Sequence, residues 1–508
     1  MPTLDWIGKE KVVNHHLDVP YKVLEKQYTY NADESENMII HGDNLEALKS
    51  LLPQYEGRVK CIYIDPPYNT GNENWVYNDN VNDPKISKWL GEVVGREGED
   101  LSRHDKWLCM MYPRIKLLQR LLAEDGFIFI SIDVFEFTNL KCILDEIFGL
   151  SNFRNCIAVR RGIKNVQAQF DEVQALSLGH EYIFLYSKTP QAKLPKLSKN
   201  FEIEKAGKWD TFWRGTDRPT MRYEIFGTCP EAGQWRWEIG RATKAVKNYE
   251  KYIAEYADKM SIDDYYLEHL MATNEKMDFV RKNENGTIQY YVPPQAGKLL
   301  SDNWMDILLS GSYASFDTEK NVLLIERIIN WITSGSDIVL DSFAGSGTTA
   351  HAVLNANKAD HNRRRFILVE LMDYAEDITA HRVKKAIDET GGDFSYYELG
   401  DPLLIGDNLN ESVGVEKIRE YVYFTETKQR LAPAKADEPY YLGTHIATSF
   451  YFYYEQERLT TLDREFLHSV KTQADAYVIY ADLCILSDAE LEKYHITFKK
   501  IPRDITRL

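Results

Sequence analysis

Cysteine is scarce in this chain, with six among 508 residues, at positions 61, 109, 142, 156, 229 and 484, none of them in a CxxC pair. That spacing excludes the common zinc-site and thiol-redox patterns. Several of the six sit inside apolar runs, where a reduced thiol behaves as a small hydrophobe, so neither disulfides nor a bound metal is expected. Long apolar runs are missing as well. No stretch approaches 18 consecutive apolar residues, which argues against a membrane-spanning helix. The opening MPTLDWIGKEKVV has neither the basic nor the apolar region of a signal peptide, so a cytoplasmic protein without membrane association is expected. Basic charge is also short: 61 Lys and Arg face 78 Asp and Glu, a net charge of −17. No internal repeat and no low-complexity segment breaks the chain.

What is present is the composition of a folded protein, with 44% hydrophobic and 27% charged residues, 32 tyrosines and 10 tryptophans. At about 150 residues per domain the length suits roughly three domains. The acidic excess is uneven. Residues 151–250 hold 17 Lys and Arg against 11 Asp and Glu, leaving 44 against 67 in the rest, so the middle of the chain is locally basic, as contact with nucleic-acid phosphates requires.

Apolar strands alternate with helical patterns, the signature of an α/β fold. Asn37 to His41 reads as a strand, Gly42-Asp43-Asn44 as a turn with a helix cap, and Leu45 to Leu52 as a helix. Val59 to Ile64 is a strand ending at Asp65. Trp107 to Leu122 has helical spacing stopped by Gly126, and Phe127 to Asp133 is a buried strand. Glu136 to Phe148 reads as a helix and the segment HEYIFLYS around Ile183 as a strand. From about 188 to 300 the order is lost in a stretch rich in Arg, Trp and Tyr, which reads as an inserted domain. Regular structure resumes with Asp337 to Asp341, a glycine loop, a helix from Thr348, the strand Arg365 to Glu370 and a helix through Ile387. A boundary is expected near Gly391-Gly392, followed by a small C-terminal domain. The expected layout is 1–187, 188–300, 301–390 and 391–508.

Four features carry chemistry. Asp65-Pro66-Pro67-Tyr68 follows a buried strand, at the edge where open α/β sheets place ligands. An exocyclic base amine is a poor nucleophile because its lone pair is delocalised into the ring. Asp65 can accept one amine hydrogen and the Pro66 carbonyl the other, turning the lone pair toward a methyl sulfonium. The two prolines keep both acceptors aimed, and Tyr68 offers a face for a base drawn out of a duplex. A rigid strand-to-loop turn with a carboxylate cap is the plainer reading. Asp341-Ser342-Phe343-Ala344-Gly345-Ser346-Gly347-Thr348-Thr349 is a strand, a glycine turn and a helix N-terminus, suited to the carboxylate of a nucleoside–amino acid cofactor or, more plainly, a packing turn. Gly347 is followed by Thr348 rather than Lys, which excludes a phosphate-binding P-loop. Glu370 lies where a ribose diol would be bound, or where a carboxylate caps a helix, and Asp43 suits a cofactor edge or an N-cap.

Together these stretches, with GDNLEALKSLL, IYIDPPYNTGNENWVYND, FDTEKNVLLIERII and LDSFAGSGTTAHAV, resemble DNA amino-methyltransferases of the permuted (beta-class) order, and in particular the modification subunits of Type III restriction-modification systems. The resemblance spans most of 37–187 and 300–410. It implies a Rossmann-like S-adenosylmethionine-dependent methyltransferase fold with an inserted target recognition domain and a small C-terminal domain. It implies S-adenosyl-L-methionine as cofactor, double-stranded DNA as substrate, a homodimer, and a helicase-nuclease restriction subunit as partner, with an orphan enzyme as the alternative. The catalytic motif falls on Asp65, Pro66, Pro67 and Tyr68, continued by Asn69-Thr70-Gly71. The cofactor sites fall on Asp43, Asp341, Phe343, Gly345, Gly347, Thr348 and Glu370. In this family Asp at the first motif position goes with N6 of adenine and Ser with N4 of cytosine, so Asp65 implies adenine. N4-cytosine methylation and a role mainly as a DNA-reading specificity subunit are the alternatives. Where many relatives have Lys-Pro contacting the methionine end, Lys320 is followed by Asn321. The basic, aromatic insert corresponds to the recognition domain, with Arg160, Arg161, Arg214, Arg218 and Arg222 as candidates for phosphate or guanine contacts. Trp213, Trp235 and Trp237 are assigned to the core rather than to base stacking.

Overall fold

The computed structural model describes residues 3–69, 84–94, 103–162, 176–273, 275–311, 313 and 319–503. Thr70, Gly71, and the portions 70–79 and 316–318 of the stretches quoted above lie outside them. Ten strands form one sheet: β1 (Lys22–Tyr30), β2 (Met38–His41), β3 (Val59–Ile64), β4 (Leu122–Ile132), β5 (Phe153–Arg160), β6 (His180–Ser187), β7 (Asn303–Leu308), β8 (Ile338–Asp341), β9 (Arg365–Glu370) and β10 (Phe394–Pro402). Their spatial order is β1-β10-β2-β9-β8-β3-β4-β6-β5-β7. Neighbours pair in parallel, except that β1 opposes β10 and β6 opposes both β4 and β5. The connecting helices are α1 (Asn44–Tyr55), α2 (Arg103–Leu121), α3 (Phe137–Phe148), α4 (Val322–Ile332), α5 (Thr348–Asp360) and α6 (His381–Thr390).

The central strands are continuous apolar runs because a parallel sheet is covered on both faces. β8 is buried throughout and β9 from Phe366 onward. Ile40, Ile62, Ile64, Leu340 and Val369 meet Leu48 and Leu52 of α1 and Leu117 and Leu118 of α2 in one core. Helix α1 starts where it does because the Asp43 side chain accepts from the amides of Leu45 and Glu46. From β8 the chain continues through α5 to β9 on one side, and from β3 through α2 to β4 on the other. β8 and β3 lie side by side, Leu340 opposite Ile62. The winding therefore reverses between them, and a crevice opens at their carboxyl ends.

Several boundaries differ from those read off the sequence. Gly126 does not stop α2; it lies inside β4, where an added Cβ would sit 2.9 Å from the Val59 carbonyl oxygen, so glycine permits the close approach of two strands. The expected break at 391 falls within the sheet unit, since β10 pairs with both β2 and β1. Beyond β10, Leu403, Ile418, Val422, Leu442 and Phe450 form a core against which Tyr21 and Val23 pack. A four-stranded sheet follows, of Tyr441–His445, Thr448–Phe452, Ala476–Ala481 and Ile496–Lys500.

The chain divides into two compact units, Met1–Pro195 with Asp302–Leu508, and Lys196–Ser301. The second is more regular than its sequence indicates. It contains a three-stranded sheet of Lys208–Thr211, Ile288–Val292 and Val280–Lys282, and helices Ile239–Glu255 and Ile262–Thr273. The first of these helices buries Ala242, Ala245 and Tyr252 rather than a stripe of branched residues, which hides its period. Among the described residues no helix is long and apolar enough to cross a membrane.

Candidate active site

β3 delivers Asp65-Pro66-Pro67-Tyr68 to the crevice with both prolines buried. The turn is pinned from two directions. Trp107 Nε1 of α2 donates to the Pro67 carbonyl at 2.6 Å. Asn69, in the left-handed conformation, donates its side-chain amide to the Arg103 carbonyl at 3.2 Å and to the buried Glu136 carboxylate, which also accepts from Asn139 at 2.7 Å.

The Asp65 side chain is 16% exposed, and its Oδ1 accepts from the Tyr68 hydroxyl at 2.8 Å and lies 3.1 Å from Lys320 Nζ. Lys320 also donates to the Tyr68 hydroxyl at 2.8 Å, sits 4.8 Å from the centre of its ring and lies 3.8 Å from Glu181 Oε2. Burial pushes the Asp65 carboxyl above its usual range, with Glu181 pushing the same way; Lys320 and the Tyr68 hydroxyl pull it down. Burial also holds the Tyr68 phenol well above its usual value, so it stays protonated as a donor. Lys320, Glu181, Trp107 and Glu136 are the residues that motif reading missed as partners of this turn. Glu181 carried one signal, as a carboxylate within an otherwise apolar strand.

At the neighbouring strand end the glycine loop is ordered by two buried acids. Asp341 accepts from the Phe343 amide at 3.0 Å and the Thr349 hydroxyl at 2.6 Å. Glu370 accepts from the Gly345 amide at 2.7 Å, and from the Met372 amide and Tyr374 hydroxyl at 3.0 Å each. Burial raises both carboxyls to about 7 against the pull of these donors. Gly347 caps α5 at φ 80°, and a Cβ there would lie 3.1 Å from the Thr379 carbonyl oxygen, so this corner needs glycine. Arg382 of α6 donates to the Ser346 and Thr348 hydroxyls at 2.7 and 2.9 Å. Phe343 is partly buried against the main core.

Asp43 both caps α1 and, through Oδ2, lies 3.4 Å from Arg114. Buried Arg114 donates to Asn44 at 2.5 Å, and Asn44 donates to the Ser342 carbonyl at 3.0 Å, which ties this corner to the glycine loop. Asp43, Glu370, Asp341 and Asp65 thus stand at the carboxyl ends of four adjacent strands, β2, β9, β8 and β3. Such a row of acceptors fits a ligand with cationic centres, ribose hydroxyls and an exocyclic amine.

The arginines expected to meet DNA divide into two groups. Arg160 and Arg161 belong to the sheet unit and not to the insert, since Arg160 ends β5. Arg161 Nε lies 3.3 Å from Glu181, beside the Asp65 cluster. Arg214, Arg218 and Arg222 lie in the insert; Arg214 and Arg218 are exposed, while Arg222 donates to the Gly233 carbonyl at 2.9 Å and pairs with Asp217. Trp235 is buried as expected, whereas Trp213 is 45% exposed, with its indole nitrogen bonded to the Ala232 carbonyl.

Residues 59–427 match the family described as DNA methylase, which covers amino-methylation at N6 and N4 positions. The Mod subunit of the Type III restriction-modification enzyme StyLTI from Salmonella typhimurium is 32% identical over 403 residues, 72% of this chain and 57% of that protein. The EcoP15I Mod subunit from Escherichia coli is 30% identical over 435 residues, 74% of this chain and 65% of that protein. The Type II methyltransferase M.KpnI from Klebsiella pneumoniae is 29% identical over 382 residues, 68% of this chain and 85% of that protein. The chain thus spans less than two thirds of the length of the two Mod subunits. With the match running from the first residue of β3 through the glycine loop and beyond α6, the chain belongs to the DNA methylase family.

Proposed function

We propose that this chain is a site-specific DNA methyltransferase that moves a methyl group from S-adenosylmethionine to N6 of an adenine flipped out of duplex DNA, in the cytoplasm, as part of a restriction-modification system. The observation that carries the reading is the juxtaposition of the Asp65 turn and the glycine loop at the ends of adjacent parallel strands β3 and β8. The Type III names of two relatives support a separate restriction subunit as partner, and the family resemblance supports a homodimer.

When bound, S-adenosylmethionine supplies an electrophilic methyl on a sulfonium. The protein's part is to orient the amine. Asp65 and the Pro66 carbonyl accept its two hydrogens, so its lone pair is freed from the ring and directed. Pro66 and Pro67, held by Trp107, keep the acceptors from turning away, and Tyr68 stacks on the base. On the other side, Asp43 serves the cofactor's adenine, Glu370 its ribose, and Asp341, Phe343, Gly345, Gly347 and Thr348 frame its methionine end. Residues 188–300 act as the recognition domain, following the catalytic half at 1–187 in the chain and preceding the cofactor half at 301–390, after which β10 returns to the sheet and a smaller C-terminal part follows. Arg214, Arg218 and Arg222 from the insert and Arg160 and Arg161 from the sheet contact DNA.

The test is transfer of labelled methyl to unmodified DNA, followed by digestion to nucleosides. Label on N6-methyladenine supports the reading, and label on N4-methylcytosine replaces adenine with cytosine. Transfer retained by Asp65→Ala would sink the mechanism. Expression in a host lacking methylation, followed by sequencing that reports modified bases, gives base identity and recognition site together.

A further inference from the structure

We propose that Lys320 is a positioning residue for the reaction at Asp65, and that the buried pair of Glu319 and Arg382 fixes its place relative to the glycine loop. The inference rests on the methyltransferase reading above. Lys320 is only 12% exposed, and its ammonium faces Asp65 at 3.1 Å and Glu181 at 3.8 Å. Glu181 also has Arg161 at 3.3 Å, so Lys320 is the described cation set directly against Asp65, where it favours and orients the carboxylate, the stronger acceptor for an amine hydrogen. Lys320 also holds the stacking ring. The Tyr68 hydroxyl accepts from Lys320 while donating to Asp65, so the phenol is fixed in both roles.

The residue before Lys320 carries the second half of the inference. Glu319 Oε1 lies 2.9 Å from Arg382, the two side chains being 1% and 2% exposed, and it also accepts from the Tyr313 amide at 3.1 Å. The same guanidinium donates to Ser346 and Thr348 of the glycine loop. One chain of contacts therefore runs from the loop through Arg382 and Glu319 to Lys320 and Asp65. A lysine at this place that served the methionine end of the cofactor would act differently, since its loss would weaken cofactor binding.

The experiment measures methyl transfer and, by calorimetry, S-adenosylhomocysteine binding for the full chain and its variants. Lys320→Met should lower kcat about 100-fold, the scale of losing one charge-stabilising group in an active site, while the S-adenosylhomocysteine Kd stays within about threefold. Lys320→Gln, which keeps a hydrogen-bond donor but no charge, should fall similarly, and serves if the Met variant does not fold. Lys320→Arg should recover to within about tenfold of the parent by restoring the cation. Glu319→Gln should lower kcat alone but add nothing to Lys320→Met, because it acts through Lys320. Activity within about threefold of the parent in the uncharged variants, or a Kd that rises in step with the loss of kcat, would overturn the proposal. A parent protein that transfers no methyl to DNA overturns the methyltransferase reading itself, and this inference with it.

Discussion

The two halves of the crevice treat buried carboxylates in opposite ways. At the end of β3, Asp65 is faced by an ammonium, Lys320, and shares it with Glu181. At the ends of β8 and β9, Asp341 and Glu370 take backbone amides and hydroxyls, and burial lifts both to about 7. The difference follows from what each acid is for. An acceptor that must receive a substrate hydrogen is strengthened by keeping its charge. Asp341 and Glu370 order the glycine loop through its own donors while framing the cofactor, and can share their site with a proton near neutrality.

The largest effect should come from breaking the charged side. Asp65→Asn preserves shape but turns an acceptor into a group that also donates, and kcat should fall at least about 10³-fold while S-adenosylhomocysteine binding and circular dichroism hold. A variant that loses cofactor binding instead would move Asp65 to the other half of the comparison. Next comes the loop side. Gly347→Val forces a branched residue to φ 80° with its Cβ against the Thr379 carbonyl, and should destabilise by about 3 kcal/mol with weaker cofactor binding, read by thermal melting and calorimetry. An unchanged melting temperature would mean that the loop relaxes without loss.

Both halves were legible in the sequence for the same reason: buried parallel strands are apolar runs, and prolines or glycines mark their exits locally. The Asp43 cap was legible too, from Gly-Asp-Asn before an apolar period. What joins the halves was not. Lys320 lies 252 residues from Tyr68, and Glu319 and Arg382 stand on separate stretches of the chain, so no local pattern records either pairing. Arg161, a candidate for phosphate or guanine contacts, pairs with Glu181 of another strand, which no local pattern records either. Gly391-Gly392 was read as a domain boundary, yet the turn only redirects the chain into β10. In the insert, tyrosines such as Tyr252, Tyr265, Tyr266 and Tyr291 fill core positions usually taken by aliphatic residues, and the helical periods faded with them.

A smaller effect sharpens the contrast through pH. The folded-state values of Asp341 and Glu370 lie above those of free carboxyls, so the folded protein keeps protons that the unfolded chain has released. Their stabilising contribution is full below the free carboxyl range and is lost as pH rises toward about 7. Raising pH from about 5 to 8 should therefore lower the unfolding midpoint of the parent more than that of Asp341→Asn, by on the order of 1 kcal/mol. Equal slopes would mean that Asp341 is as ionised in the fold as outside it.

The smallest effect on the fold, and the sharpest on DNA, is expected at the insert. Arg222 is engaged by Asp217 and the Gly233 carbonyl, so removing it disturbs the protein before it disturbs a DNA contact. Arg218 is exposed, ahead of the short turn Pro219–Met221. Arg218→Ala should change stability by less than about 0.5 kcal/mol, as surface substitutions do. If Arg218 meets a phosphate, DNA affinity falls alike for all sequences and the salt dependence of binding drops by about one counterion. If it reads a guanine, the loss is confined to sites carrying that base, at about 1–3 kcal/mol, and sequencing of methylated sites shows relaxed preference at one position. Unchanged affinity and unchanged site preference would remove Arg218 from the interface and leave recognition to other residues of the insert.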